Sequence, residues 1–165
     1  KVQNKKPVIL YVGRVSLEKN IRAFLDLKID AQKIVVGDGP ILENLKAANP
    51  EVMFLGAKKG KDLTDAYNMA DVFVFPSKSD TFGLVLLESL ACGVPFAAYD
   101  EPGPNHIYNA DSDLSKKACF IDQDLEIAVQ RALKEGCSKS ARELSEMFSW
   151  ENCAKLFLEK IEANK

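Results

Sequence analysis

The sequence predicts an α/β fold: a doubly wound parallel sheet of about six strands, with helices on both faces and a helical C-terminal tail. Three observations lead there. Short runs of β-branched and aromatic residues alternate with helix-like stretches from Val8 to Ile121. Most of those runs stop at a Gly or Pro, the punctuation of strand ends. From Asp124 onward the pattern is helical only. The chain has 165 residues, enough for one core, so a single domain over residues 1–165 is expected.

The first strand is VILYV, residues 8–12. Gly13-Arg14 and the stretch to Lys19 follow, then a helix over about residues 20–27. Two cations, Arg14 and Lys19, thus sit at the carboxyl end of a strand, where open α/β sheets bind ligands. Solvated loop charges are the plainer alternative. KIVV, residues 33–36, is the second strand, and Pro40 in the GDGP turn suits the first turn of a helix through Ala47. VMFL, residues 52–55, is the third and ends at Gly56. Lys58, Lys59 and Lys61 lead into a helix over residues 61–69.

The stretch from Asp71 to Pro95 organises the rest. VFVF, residues 72–75, reads as a buried strand that Pro76 ends. Ser77, Ser79, Asp80 and Thr81 supply turn and N-cap chemistry. Residues 84–91 form a helix apolar on almost every side, expected to be buried, and Gly93 stops it. Glu88 is the one charge inside it. A buried carboxylate needs a partner: a protein cation, water in a cleft or a ligand hydroxyl. Gly83 and the free N–H groups around Thr81 to Leu84 make an anion site, with Glu88 roughly 7 Å further along the helix. A phosphorylated sugar or nucleotide would suit that spacing. Close packing at Gly83 and an ion pair at Glu88 would explain the same residues without a ligand.

Residues 94–98 form the next strand, 99–104 a turn, and 118–121 a last short strand. His106, the sole histidine, is expected to be structural or exposed rather than catalytic. Helices are expected over residues 124–132, 138–147 and 149–163, the last capped by Ser149. The net charge of −2 gives no electrostatic case for nucleic acid or an anionic membrane. No apolar run reaches the length of a membrane span, and no signal peptide is visible. The four cysteines lack metal-ligand spacing and are expected to be reduced thiols. Neither a GxGxxG nor a GxxxxGK[ST] motif occurs, which argues against NAD, FAD and a phosphate loop. The chain opens on Lys1, so a segment of a longer protein is expected.

Taken in order, GR…K, VGDGP, FLG, ADVFVFPS, TFGLVLLE, ACGVP and a late FSW resemble the C-terminal half of a bacterial-type GT-B glycosyltransferase of the large retaining family 4. The match runs from about residue 7 to residue 158. The resemblance implies a Rossmann-like domain that binds a nucleotide-diphosphate sugar, UDP- or GDP-linked, in a cleft facing a separate N-terminal acceptor domain absent from this chain. It implies retaining transfer of the sugar to an acceptor hydroxyl, in glycan, glycolipid or polysaccharide synthesis. The place would be the cytoplasm or the inner face of the membrane, with membrane contact made through the full-length protein. By motif position, Arg14 and Lys19 would hold the diphosphate. The backbone at Thr81, Phe82, Gly83 and Leu84 would meet phosphate and sugar, Glu88 the ribose hydroxyls, and residues around Gly56 the base.

Asp80 and Glu88 fall on the family's E-x7-E pair as its catalytic carboxylates, with Asp80 where the first Glu usually stands. Aspartate keeps the charge and loses one methylene. No cofactor and no metal are implied, because a cation pair substitutes for a divalent ion on the leaving diphosphate. This segment alone should bind donor without turnover. Two rival readings are a GT-B nucleotide-sugar epimerase and a non-catalytic flavodoxin-like binding domain. The first needs an acid/base pair, for which only His106 and scattered carboxylates are at hand. The second would pair Glu88 with Arg14 or a lysine.

Overall fold

Six short apolar runs become the strands of one sheet in a computed structural model that describes residues 6–80 and 82–162. They are β1 Val8–Val12, β2 Gln32–Val36, β3 Met53–Phe54, β4 Val72–Phe75, β5 Phe96–Tyr99 and β6 Cys119–Asp122. All neighbours pair in parallel, in the order β3-β2-β1-β4-β5-β6. A parallel sheet covered on both faces needs strands that are apolar on both sides, and β1 and β4 are. Leu10, Ile34, Phe73, Phe75 and Phe96 point to one face; Ile9, Tyr11, Val35, Val72 and Val74 point to the other.

The helices divide between those faces. Ile21 and Phe24 of α1 (Ile21–Leu25), Leu45 of α2 (Leu42–Ala48) and Ala128 and Val129 of α7 (Leu125–Glu135) cover the second face. The first is covered by Tyr67 of α3 (Gly60–Asn68), Leu86 and Leu90 of α4 (Leu84–Ala91), Ile107 of α5 (Pro102–Tyr108), Ala118 of α6 (Ser112–Ala118) and Leu144 of α8 (Ser138–Glu146). The tail ends in α9 (Trp150–Glu162), where Ser149 Oγ accepts from the Asn152 N–H at 3.2 Å, the expected cap. Trp150 itself is 92% exposed. No helix among the described residues is long and apolar enough to cross a membrane.

Some expectations are corrected. The expected turn over residues 99–104 contains the start of α5. Pro102 sits in its first turn, where a missing N–H costs nothing. The sequence pattern carries no expectation of the short helix α6; the Asp111 side chain caps it, accepting from the N–H groups of Asp113 and Leu114. The strand expected from Val94 begins at Phe96, because the Val94 N–H is taken by the Ser89 carbonyl. Pro40 lies before α2, whose cap position is Ile41. The helix expected over residues 20–27 shortens to α1, preceded by a 3-10 turn at Leu17–Lys19.

Leu86 is fully buried between α4 and the sheet, whereas Leu84, two residues earlier, is 68% exposed. Leu86→Ala should therefore cost about 2–5 kcal/mol in urea unfolding, and Leu84→Ala no more than about 0.5 kcal/mol.

Candidate functional site

Strand order reverses between β1 and β4. The chain leaving β1 turns towards β2, and the chain leaving β4 turns the other way, towards β5. Two loops that diverge from adjacent parallel strands leave a crevice at their carboxyl ends. A cavity of about 260 Å³ lies there, lined by Tyr11, Gly13, Lys19, Ser77, Asp80 and Gly83 among others. A second groove of about 330 Å³ shares Val12 and Gly13 with it and adds Arg14, Gly37, Asp38 and Lys58.

Polar bonds tie the two loops across the crevice. Lys19 Nζ donates to Asp80 Oδ1 at 2.5 Å, and Asn20 Nδ2 donates to the Pro76 carbonyl at 3.0 Å. Ser79 Oγ donates to the Glu18 carbonyl at 3.5 Å, a weaker contact. Asn20 can do this because it stands in the left-handed region, at φ 53°. Asn tolerates that region better than most side chains. From below, the Tyr11 hydroxyl donates to the Arg14 carbonyl at 2.7 Å and so fixes the Gly13-Arg14 turn. Burial, with the Asp80 charge behind it, raises the Tyr11 pKa and keeps that hydroxyl protonated.

Asp80 is pulled in two directions. Partial burial opposes its charge, and the bond from Lys19, with its positive charge, more than offsets this, so the carboxyl titrates below its ordinary value. Ser77 Oγ favours the same anion but makes no hydrogen bond of acceptable geometry. It and Ser16 Oγ are buried without a partner among the described residues.

The tip of α4 requires a glycine. Gly83 has φ 76°, and a Cβ there would meet Phe75 Cζ at 3.0 Å. Gly83 itself holds the cap position, and among the expected capping residues Asp80 is engaged by Lys19 and Ser79 by the Glu18 carbonyl instead. Thr81 lies outside the described residues. Leu84 opens α4 at the cavity rim.

Glu88 is the main correction. It was expected to be buried, and it is exposed. Helix α4 buries Leu86, Ser89 and Leu90, so its outer side is open. The buried Tyr67 hydroxyl donates to Glu88 Oε2 at 3.0 Å, and no ion pair among the described residues includes Glu88. Burial first, then the Glu88 charge and bond, raise the Tyr67 pKa and keep it a donor. Arg14 faces Glu18 at 3.7 Å rather than Glu88, so among the described residues the pairing that a non-catalytic domain would use is not formed.

The remaining site residues are spread around the crevice. The Gly37 N–H donates to the Gly56 carbonyl at 3.0 Å, which places Gly56 at the edge of the second groove. Phe82 packs against His106 and Phe148, with ring centroids 5.6 and 6.5 Å away. His106 lies on α5 and is exposed, away from the cavity lining. Tyr11, Asn20 and Tyr67 carry no motif signal that would have singled them out, whereas Phe148 opens the late FSW run.

The family model described as glycosyl transferases group 1 matches residues 1–148. A sulfoquinovosyl transferase of Arabidopsis thaliana is 33% identical over 159 residues, covering 88% of this chain and 31% of the relative. An alpha-monoglucosyldiacylglycerol synthase of Streptococcus pneumoniae is 36% identical over 146 residues, covering 80% of this chain and 32% of the relative. Among solved structures, the sucrose-phosphate synthase of Thermosynechococcus elongatus superposes with a TM-score of 0.76 at 26% identity, over 96% of this chain and 46% of that one. The chain thus spans about a third of the length of the curated relatives it matches.

The depressed Asp80 pKa has a sign. The folded state binds the proton less tightly than the unfolded chain does, so the Lys19–Asp80 pair stabilises fully above about pH 4 and loses that contribution as pH falls further. Unfolding followed from pH 7 to pH 3 should show a smaller acid loss in Asp80→Asn than in the unmutated protein. Equal losses would mean that the pair adds nothing to stability.

Proposed function

The chain belongs to the group 1 glycosyl transferases, and from that premise we propose that it is the donor-binding half of a retaining glycosyltransferase. The full-length enzyme moves a sugar from a nucleotide-diphosphate sugar to an acceptor hydroxyl. The observation that carries the reading is the convergence of Lys19 and the glycine-opened tip of α4 on one cavity, where strand order reverses.

Each residue has a chemical task. Lys19 and the neighbouring Arg14 take the diphosphate, stabilising the charge that builds on it as the sugar leaves. They stand where a divalent metal would otherwise serve, and the reading needs no cofactor. Backbone from Thr81 through Phe82 and Gly83 to Leu84 meets phosphate and sugar. Glu88 accepts the ribose hydroxyls. The Tyr67 bond occupies one position on Oε2, and the remaining acceptor sites of an exposed carboxylate stay open. The edge around Gly56 flanks the base. Asp80, at the sugar end, supplies the second carboxylate. An epimerase is not favoured, since His106 is engaged by Phe82 and Phe148 outside the cavity.

Turnover requires the N-terminal acceptor domain to close over the crevice. Similarity to a synthase named for a diacylglycerol product supports a lipid among the acceptor classes. With such an acceptor, the full-length protein works at the inner face of the membrane through peripheral contact.

Calorimetric titration with UDP and GDP tests the donor site. One nucleotide should bind saturably. Arg14→Ala and Glu88→Ala should each weaken it by about ten- to a hundredfold, the size of a lost charge-assisted hydrogen bond. Failure of both nucleotides to bind the chain and the full-length enzyme would overturn the reading.

A further inference from the structure

We propose that Asp80 is a resident competitor for Lys19: it holds the ammonium while the site is empty, yields it to the diphosphate, and takes it back as the product nucleotide leaves. The proposal rests on the donor-site reading and adds a task that this reading does not contain. Asp80 sets the affinity and release of the nucleotide by positioning Lys19, apart from any contact of its own with the sugar.

Four observations carry it. First, Lys19 and Asp80, in contact at 2.5 Å, both line the cavity. Second, the pair's side chains are only 30% and 23% exposed, against 85% and 54% for Lys61–Asp65, so solvent and salt screen it less. An anion entering the cavity therefore has to outbid a carboxylate already in place.

Third, Asp80 has somewhere to turn. Ser77 Oγ lies buried beside it with no partner among the described residues. An unpaired buried hydroxyl is costly, and this one already favours the Asp80 anion while Lys19 is in place, so it is the donor that remains when Lys19 swings away. Fourth, release of Lys19 leaves the loops joined, because the Asn20–Pro76 bond spans the same crevice independently. Of the other cations in these two loops, Arg14 faces Glu18 at 3.7 Å and Lys78 sits 4.0 Å over the Tyr99 ring, so both are engaged elsewhere.

The test is a double-mutant cycle on nucleotide affinity, read by calorimetry with UDP or GDP, whichever the unmutated protein binds. Asp80→Asn should tighten binding about fivefold, the upper worth of a partly exposed ion pair, and stopped-flow should show slower dissociation. In a Lys19→Gln background the same Asp80→Asn change should have no effect. Asp80→Ser replaces the asparagine variant if that one fails to fold.

Unchanged or weaker binding in a folded Asp80 variant overturns the proposal. So does a gain that persists without Lys19, since Asp80 would then act only as a general negative charge. If the unmutated protein binds neither nucleotide, the donor-site reading falls as well. If it binds one and Asp80→Asn binds it no more tightly, only the competitor falls.

Discussion

The parallel pairing of β1 with β4 is the contact on which the rest depends. Ile9 sits opposite Val72 and Leu10 opposite Phe73, and all four are fully buried. The pairing joins two strands whose onward connections run to opposite sides of the sheet. Lys19, Asn20, Ser77, Asp80 and Glu88 all hang from one of these two strand ends or from the helix that follows β4. The crevice is a consequence of topology before it is one of side-chain chemistry.

Above that apolar base the bonding changes character. The loops after β1 and β4 meet through side-chain hydrogen bonds and one ion pair. Such contacts are each worth little net, and they can be exchanged. Two buried hydroxyls, at Ser16 and Ser77, lack partners among the described residues in these same loops. A rigid base and exchangeable polar walls would suit the proposed binding and release of an anion.

The strands were the most legible part of the sequence. A strand buried on both faces has to be apolar throughout, so VILYV and VFVF announced themselves. Helix α5 was hidden because Pro-Gly-Pro reads as a turn, although a proline is harmless in a first helical turn. Glu88 was misplaced for a different reason. LVLLESLA is so apolar that composition cannot show which side of the helix faces outward, and only the docking of Leu86 and Leu90 decides it. The Lys19–Asp80 and Asn20–Pro76 bonds were beyond reach, since their partners are 61 and 56 residues apart in the chain. The ligand roles proposed for Arg14, Lys19 and Glu88 come from motif order, and the geometry adds how Tyr11 bonds the Arg14 carbonyl and Tyr67 the Glu88 carboxylate.

Trp150, the sole tryptophan, stands almost wholly in solvent at the start of α9. Its indole meets water in the folded chain as it would in the unfolded one. Intrinsic emission would therefore keep a red, solvent-type maximum through denaturation, and folding of this chain is optically almost silent at tryptophan. The same exposure makes that ring a clean beacon for anything that docks against the start of the terminal helix. A blue shift there would report contact without interference from the core, whose aromatic residues are phenylalanine and tyrosine.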